Sequence, residues 1–260
     1  MSGMKVYVLD NGINHGHPRN DIVQCDDPKA TISFQSSTVF IQHPDGNILF
    51  DAACHRDPER QISFILEALQ MTEEQKPVNR LAQLGVKPEE IKYLVLSHLH
   101  PDHYGFLDAF PQAEISVADD EFTYMMKDAA LGVVPFFKDF EVFIKANLKW
   151  RLIPPDVKTT KLVDGVTIYN FGRGHSYGML GLFLELPKSG NKLLVSDTIY
   201  TSENLGPPLK PPGICRDVEN WKATTNYVVQ LAKDLQAEIW FGHDLKQFEG
   251  LIKSTEGYYE

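Results

Sequence analysis

The sequence predicts an α+β fold in which two packed β-sheets carry helices on their outer faces. Three observations predict it. Short runs rich in β-branched and aromatic residues recur in both halves of the chain, and the first are joined by a hairpin-forming turn. Segments with the apolar spacing of helices lie between them. Sheets and helices each bury one apolar face, and layering helices outside two sheets satisfies both. No internal repeat, low-complexity tract or composition shift divides the 260 residues, so one domain spanning 1–260 is expected.

The elements follow in order. Lys5 to Leu9 is the first strand, and Ile32 to Gln42 the second. Asp45-Gly46 separates the second from Ile48 to Phe50, a strong hairpin signal. A helical region is expected between Glu59 and Leu84, interrupted at Pro77, and Pro88-Glu89-Glu90 reads as a helical first turn. Tyr93 to Leu96 is continuously apolar, as in a buried strand. Glu114 to Ala118 is a strand, and Asp119 to Leu131 a helix. Phe136, Phe137, Phe140, Phe143, Ile144 and Leu148 give Phe136 to Trp150 helical spacing, the mark of a face buried on the core. Pro154-Pro155 ends it. Strands follow at Val166 to Phe171, Leu180 to Leu186 and Lys192 to Ser196, then a helix from Val218 to Leu235 and a last strand from Glu238 to Phe241.

Composition excludes several function classes. Hydrophobic residues are 43% and charged residues 23%, an ordinary globular balance, and no apolar run approaches the roughly 18 residues that span a bilayer. The formal charge of −10 argues against nucleic acid or an anionic membrane as partner, since both need clustered positive charge. Residues 1–10 carry no secretory pattern, and three widely spaced cysteines (Cys25, Cys54, Cys215) form no disulfide framework, so a cytoplasmic location is expected.

The chemistry concentrates in His98-Leu99-His100-Pro101-Asp102-His103, which offers four potential metal ligands directly after a buried strand. Imidazole and carboxylate suit zinc and other borderline divalent ions. So much imidazole in one turn has little structural use and is self-repelling when protonated. His175, Asp197 and His243 each follow a short apolar β-prone run in the same way. Singly each would be an ordinary turn residue. Together with the first cluster they supply enough ligands for two metals.

The order His-x-His-x-Asp-His, Gly-His, Ser-Asp, Gly-His resembles the metallo-β-lactamase superfamily over nearly the whole chain, Lys5 to about Asp244. The resemblance implies an αββα sandwich of two mixed sheets with a metal site at one edge. It implies that His98, His100 and His175 hold one metal, that Asp102, His103 and His243 hold the other, and that Asp197 bridges them. Ser196-Asp197-Thr198-Ile199-Tyr200 and Phe241-Gly242-His243-Asp244 resemble N-acyl-homoserine lactone lactonases, in which a Tyr three residues after the bridging Asp assists catalysis; Tyr200 has that spacing. The chain departs from the family at Tyr104-Gly105-Phe106, Pro101, Met179 and Asp51-Ala52-Ala53, none of which removes a ligand.

These residues imply a metal-dependent hydrolase of lactones. Two divalent ions sharing one water lower its pKa, and the resulting bridging hydroxide attacks an ester carbonyl. Tyr200 would donate a hydrogen bond to the developing oxyanion, and Asp102 would shuttle a proton to the leaving alkoxide. The expected cofactors are two divalent ions, zinc first, with manganese, iron or cobalt as alternatives. The expected partner is a small lactone, with the protein a monomer or homodimer. Rival readings are a lactonase for another small lactone, such as a pyridine-fused one, and a thioester hydrolase of the glyoxalase II type. Against the second stands Tyr200. Tyr104, Phe106 and Tyr177 are expected to shape the site. His15-Gly16-His17 is expected in a surface loop, and Cys54-His55 is not expected to act as a nucleophile–base pair, because adjacent residues do not face each other.

Overall fold

The computed structural model describes residues 3–57, 67–133, 141 and 143–260. Among them, twelve strands form two mixed sheets. β1 (Lys5–Pro18), a helical turn α1 (Arg19–Ile22), β2 (Thr31–Gln42) and β3 (Asn47–Phe50) come first. Then follow β4 (Leu69–Gln70), α2 (Pro77–Gln83), β5 (Ile91–Val95), a turn α3 (Pro101–Tyr104), β6 (Glu114–Ala118), α4 (Asp119–Ala130) and β7 (Lys149–Ile153). β8 (Thr159–Val163), β9 (Val166–Gly172), β10 (Met179–Leu184), β11 (Lys192–Ser196), α5 (Val218–Asp234), β12 (Glu238–Phe241) and α6 (Leu245–Gly250) complete the order.

The first sheet has the order β4-β1-β2-β3-β5-β6-β7 and the second β12-β11-β10-β9-β8. β3, β5, β6 and β7 pair in parallel, as do β11 and β12; the remaining ladders are antiparallel.

Strand periodicity builds the layers. Val39 and Ile41 of β2, with Ile48 and Phe50 of β3, point between the sheets and meet Ile168, Leu182, Leu194 and Trp240 of the second sheet. Phe40 and Leu49, one residue out of phase, point outward and pack with Leu81, Ile115, Val117 and Met125. On the far side, Phe183, Leu193 and Val195 pack on Val228 and Ala232 of α5. Trp221, Thr225, Val228 and Ala232 form the helix's buried stripe, and Asp217 caps it by accepting from Asn220 N at 3.1 Å. Helix, sheet, sheet and helix are thus bound by three apolar layers, the expected αββα sandwich.

Four expectations are corrected. β1 runs on to Pro18 and pairs with β2 (His17 opposite Ile32), so His15-Gly16-His17 is strand, not loop; its polar residues lie on the hairpin's far end, where a hydrophobic pattern gives no signal. Pro77 opens α2 instead of interrupting a helix, because its missing N–H costs nothing at a first turn. The rest of the expected Glu59–Leu84 region lies partly outside the described residues. The helical spacing of Phe136 to Trp150 stops short: residues 143–145 are helical, but Lys149 and Trp150 belong to β7, pairing with Glu114 and Ile115. Phe136, Phe137 and Phe140 lie outside the described residues. Finally, β8 and α6 carry no strong period in so few residues and were not expected.

β5, β9, β11 and β12 end, at their C-termini, where the candidate ligands begin, and β3 ends beside them at Asp51, which meets His103. The sandwich therefore delivers five loops to one edge.

Candidate metal centre

His98 and His100 leave the end of β5, and Asp102 and His103 sit on the turn α3 that follows. His175 follows β9, Asp197 follows β11 and His243 follows β12. The fold brings all seven predicted ligands together in two groups that share Asp197. In the first, His175 Nε2 lies 3.1 Å from His98 Nε2 and 3.0 Å from His100 Nδ1. Asp197 Oδ2 lies 3.7 Å from His98 Nε2 and 3.5 Å from His175 Nε2. In the second, Asp102 Oδ2 is 3.5 Å from both His103 Nε2 and His243 Nε2. Asp197 contacts His103 Nε2 through Oδ2 at 3.3 Å and His243 Nε2 through Oδ1 at 3.1 Å.

The opposite ring nitrogens fix which atom faces inward. His175 Nδ1 meets the Ile214 carbonyl at 2.9 Å, and His243 Nδ1 the Gln35 carbonyl at 3.0 Å. A carbonyl only accepts, so Nδ1 carries a proton in each ring and Nε2 is the nitrogen turned to the centre. His103 Nδ1 likewise donates to Asp51 Oδ2 at 2.9 Å. Such outer partners orient metal-binding imidazoles.

The donor set fits two divalent cations. Three imidazole nitrogens converge, and His103 Nε2 and Asp197 Oδ1 are buried with no hydrogen-bond partner. Buried polar atoms are rarely left so unless an ion completes them. The electrostatics agree. Burial, reinforced by neighbouring imidazoles, holds His98 well below its usual value and His100 down to about 3; His175 is lowered too, so these rings are neutral donors. Burial opposes the charge of Asp197 and Asp102, yet His103 and His243 outweigh it and keep both carboxyls well below their ordinary range. Burial works against protonation of His103 and His243 as well, but the carboxylates prevail, raising His103 well above its usual value and His243 to about 10. Asp197 and Asp102 thus concentrate negative charge where a cation would sit.

Tyr200 is buried beside both groups. Its ring stacks on His243 (5.3 Å between centroids, 27°) and meets His175 edge-on at 5.1 Å. Burial first, then the Asp197 and Asp102 carboxylates, push its phenol well above 10. It is therefore a neutral hydrogen-bond donor at any working pH. A polar groove of about 500 Å³ opens beside His243, lined by Ser33, Thr201, Ser202 and Lys246 among others.

The backbone is shaped for this convergence. Asp51 (φ 61°) and Ser196 (φ 47°) lie in the left-handed region, a local cost that recurs at functional sites. A Cβ on Gly242 would stand 2.6 Å from Asp197 Oδ1, so only glycine lets β12 approach the shared carboxylate.

Other candidates resolve differently. His15 Nδ1 pairs with Ser33 Oγ at 3.2 Å, whereas His17 approaches Asp21 at 3.2 Å and packs edge-on against Phe34, so the two form no ligand pair. Cys54 is fully buried and the His55 ring packs on Phe106. Tyr104 and Phe106 were expected to shape the site but belong to the core under the first sheet; on α3, Tyr104 faces that core while Asp102 faces the ligands. Tyr177 instead donates to Asp128 Oδ2 at 2.6 Å and stacks on Tyr124.

Residues that sequence reading missed are the supports. Asp51 Oδ1 accepts from Ser97 N (2.7 Å), and Oδ2 contacts Ser97 Oγ (2.9 Å), His103 Nδ1 and Ser196 Oγ (3.3 Å). Its only sequence signal was an Asp at a strand's end, the same signal that marked Asp197. Glu121 gave none.

A family profile described as the metallo-beta-lactamase superfamily matches residues 32–176. The chain is 36% identical over 241 residues to N-acyl homoserine lactonase AiiB of Agrobacterium fabrum, covering 88% of this chain and 86% of that relative. It is 33% identical over 177 residues to N-acyl homoserine lactonase AiiA of Bacillus thuringiensis subsp. kurstaki, covering 68% and 65%. A solved N-acyl homoserine lactone hydrolase, with the product N-hexanoyl-L-homoserine at its catalytic metal center, superposes with a TM-score of 0.82 at 25% identity over 98% of both chains.

Proposed function

Because the chain belongs to the metallo-β-lactamase superfamily, we propose that it is a metal-dependent lactonase that opens the ring of N-acyl homoserine lactones and so degrades quorum signals. The observation that carries this reading is the buried Tyr200, stacked on His243 at the junction of two four-ligand groups.

His98, His100 and His175 would hold one divalent ion and Asp102, His103 and His243 the other, with Asp197 shared and zinc the first choice. When bound, the pair supplies Lewis-acid polarisation of the carbonyl and activation of water near neutral pH. The chain's own residues do the rest. The neutral Tyr200 phenol donates a hydrogen bond to the carbonyl oxygen as it gains charge, a role worth roughly 10²–10³ in kcat at other oxyanion sites. The two carboxylates divide by access: the Asp102 side chain is 22% exposed and that of Asp197 2%. Asp102 can therefore take a proton and return it to the alkoxide of the opened ring, while Asp197 stays a fixed bridge. On this reading the substrate would approach along the groove beside His243.

Tyr200 favours a lactone over a glutathione thioester. Among the described residues no helix is long and apolar enough to cross a membrane. Cys25, Cys54 and Cys215 form no disulfide, which supports a reducing, cytoplasmic setting. The deciding experiment is proton-release turnover of zinc-loaded protein on a panel: short- and long-chain acyl-homoserine lactones, simple γ- and δ-lactones, a pyridine-fused lactone and a glutathione thioester. Acyl-homoserine turnover with kcat/KM above roughly 10⁴ M⁻¹s⁻¹ is expected. Two metals per chain without that turnover would refute the substrate and keep the hydrolase.

A further inference from the structure

Glu121 stands in the first turn of α4, well outside the ligand set, and is completely buried. A buried carboxylate is costly unless hydrogen bonds meet it. Its partners are specific. Oε1 accepts from Leu99 N at 2.8 Å and from Ser176 Oγ at 2.9 Å, and Oε2 accepts from Gly178 N at 3.1 Å. Leu99 lies between His98 and His100, and Ser176 is next to His175. All three donors therefore lie in the two segments that carry the imidazoles of the first group, and Leu99 also leads into the turn of Asp102 and His103.

Two further contacts press those loops together over the helix. Leu180 N donates to Ser97 O at 2.8 Å. A Cβ on Gly178 would stand 2.7 Å from the Ala118 Cβ and 3.3 Å from Glu121 N, so glycine is needed for the loop to reach the carboxylate. The second group has further supports that Glu121 does not touch: Asp51 holds His103 and the Gln35 carbonyl holds His243, while Ser97, which Asp51 also binds, reaches His98 Nδ1 at 3.0 Å.

We propose that Glu121 is a positioning residue that clamps the His98–His100 loop to the His175 loop and so sets metal affinity at the three-histidine position more than at the position held by Asp102, His103 and His243. This rests on the two-metal reading above. The physical basis is geometric: three ligands from two loops must be held at fixed spacing, and one carboxylate accepting from both loops supplies that without touching the ion. Its two-sided acceptor character is the requirement, so an amide cannot replace it. In Glu121→Gln one end of the side chain becomes an N–H donor, facing either Gly178 N or the pair Leu99 N and Ser176 Oγ.

The test is a zinc titration of metal-free protein against a competing chelator, with occupancy at each position read by anomalous diffraction at the zinc edge. Folding is checked by circular dichroism. Folded Glu121→Gln should bind one zinc about 10–100-fold more weakly, the usual range for lost outer partners, and the loss should be larger at the His98/His100/His175 position than at the other. Ser176→Ala, which removes one of the three donors, should give a smaller loss at the same position, and it carries the test if Glu121→Gln does not fold. Two positions with wild-type affinity would overturn the proposal. Equal weakening of both would overturn it too, as general structural damage. Wild-type protein that binds no zinc would instead sink the two-metal reading on which the clamp depends.

Discussion

Replacing Asp51 with Asn separates a support from a ligand more cleanly than any change at the ligands themselves. Asp51 holds φ 61°, and Asn tolerates that conformation as well as Asp does, so the backbone is left alone. The amide oxygen can keep Ser97 N at the Oδ1 position, and a new N–H₂ at the Oδ2 position can turn to the Ser97 and Ser196 hydroxyls, which accept as readily as they donate. Only the contact with His103 Nδ1, 2.9 Å away, has no good replacement: donor meets donor. The variant loses one buried, charge-assisted hydrogen bond, about 1.5–3 kcal/mol. Urea denaturation of the metal-free protein measures it. With a slope near 3 kcal/mol/M, a loss of about 2 kcal/mol moves the midpoint down by about 0.7 M. The ring also loses the contact that fixes its orientation and turns Nε2 towards the ligands, so zinc affinity at the Asp102/His103/His243 position should fall by about 10–100-fold. An unchanged midpoint together with unchanged zinc affinity would refute the assignment of Asp51 as the support of His103.

Tyr200→Phe keeps the ring stacked on His243 and removes only the hydroxyl; kcat should fall by about 10²-fold with KM and zinc content little changed, and steady-state kinetics with metal analysis will read both. Dialysis against a chelator should abolish lactone hydrolysis and lower Tm, and readdition of zinc at 100 times Kd should return about 2.7 kcal/mol of stability per site, measured by calorimetry. Asp217→Ala removes the cap of α5 and should lower Tm by about 2–4 °C near neutral pH. The backbone and side chain of Asn220 hold the Asp217 carboxyl below its ordinary value, so this stabilisation is complete above 3.8 and is lost as pH falls through the lower folded value; the Tm difference should shrink there and at no alkaline pH.

What the sequence by itself determined was local. The strands Glu114–Ala118, Lys192–Ser196 and Glu238–Phe241 could be read to the residue, because a short apolar run ending in a turn is written in neighbouring positions. The seven candidate ligands could be picked out for the same reason. Each terminates such a run, and imidazole clustered at a strand's end has almost no other use. Longer-range facts were invisible. The β1–β2 extension through His17 has no apolar alternation to betray it, since pairing with β2 and not burial holds it. Tyr104 and Asp102 are two residues apart on one helical turn, and only the tertiary structure decided that one faces the core and the other the centre. The supporting roles of Asp51, Glu121 and the carbonyls of Gln35 and Ile214 were beyond sequence reading. A ligand announces itself by its chemistry, whereas a support is defined by what it touches, and those contacts join residues 22 to 208 positions apart that meet only when the two sheets close.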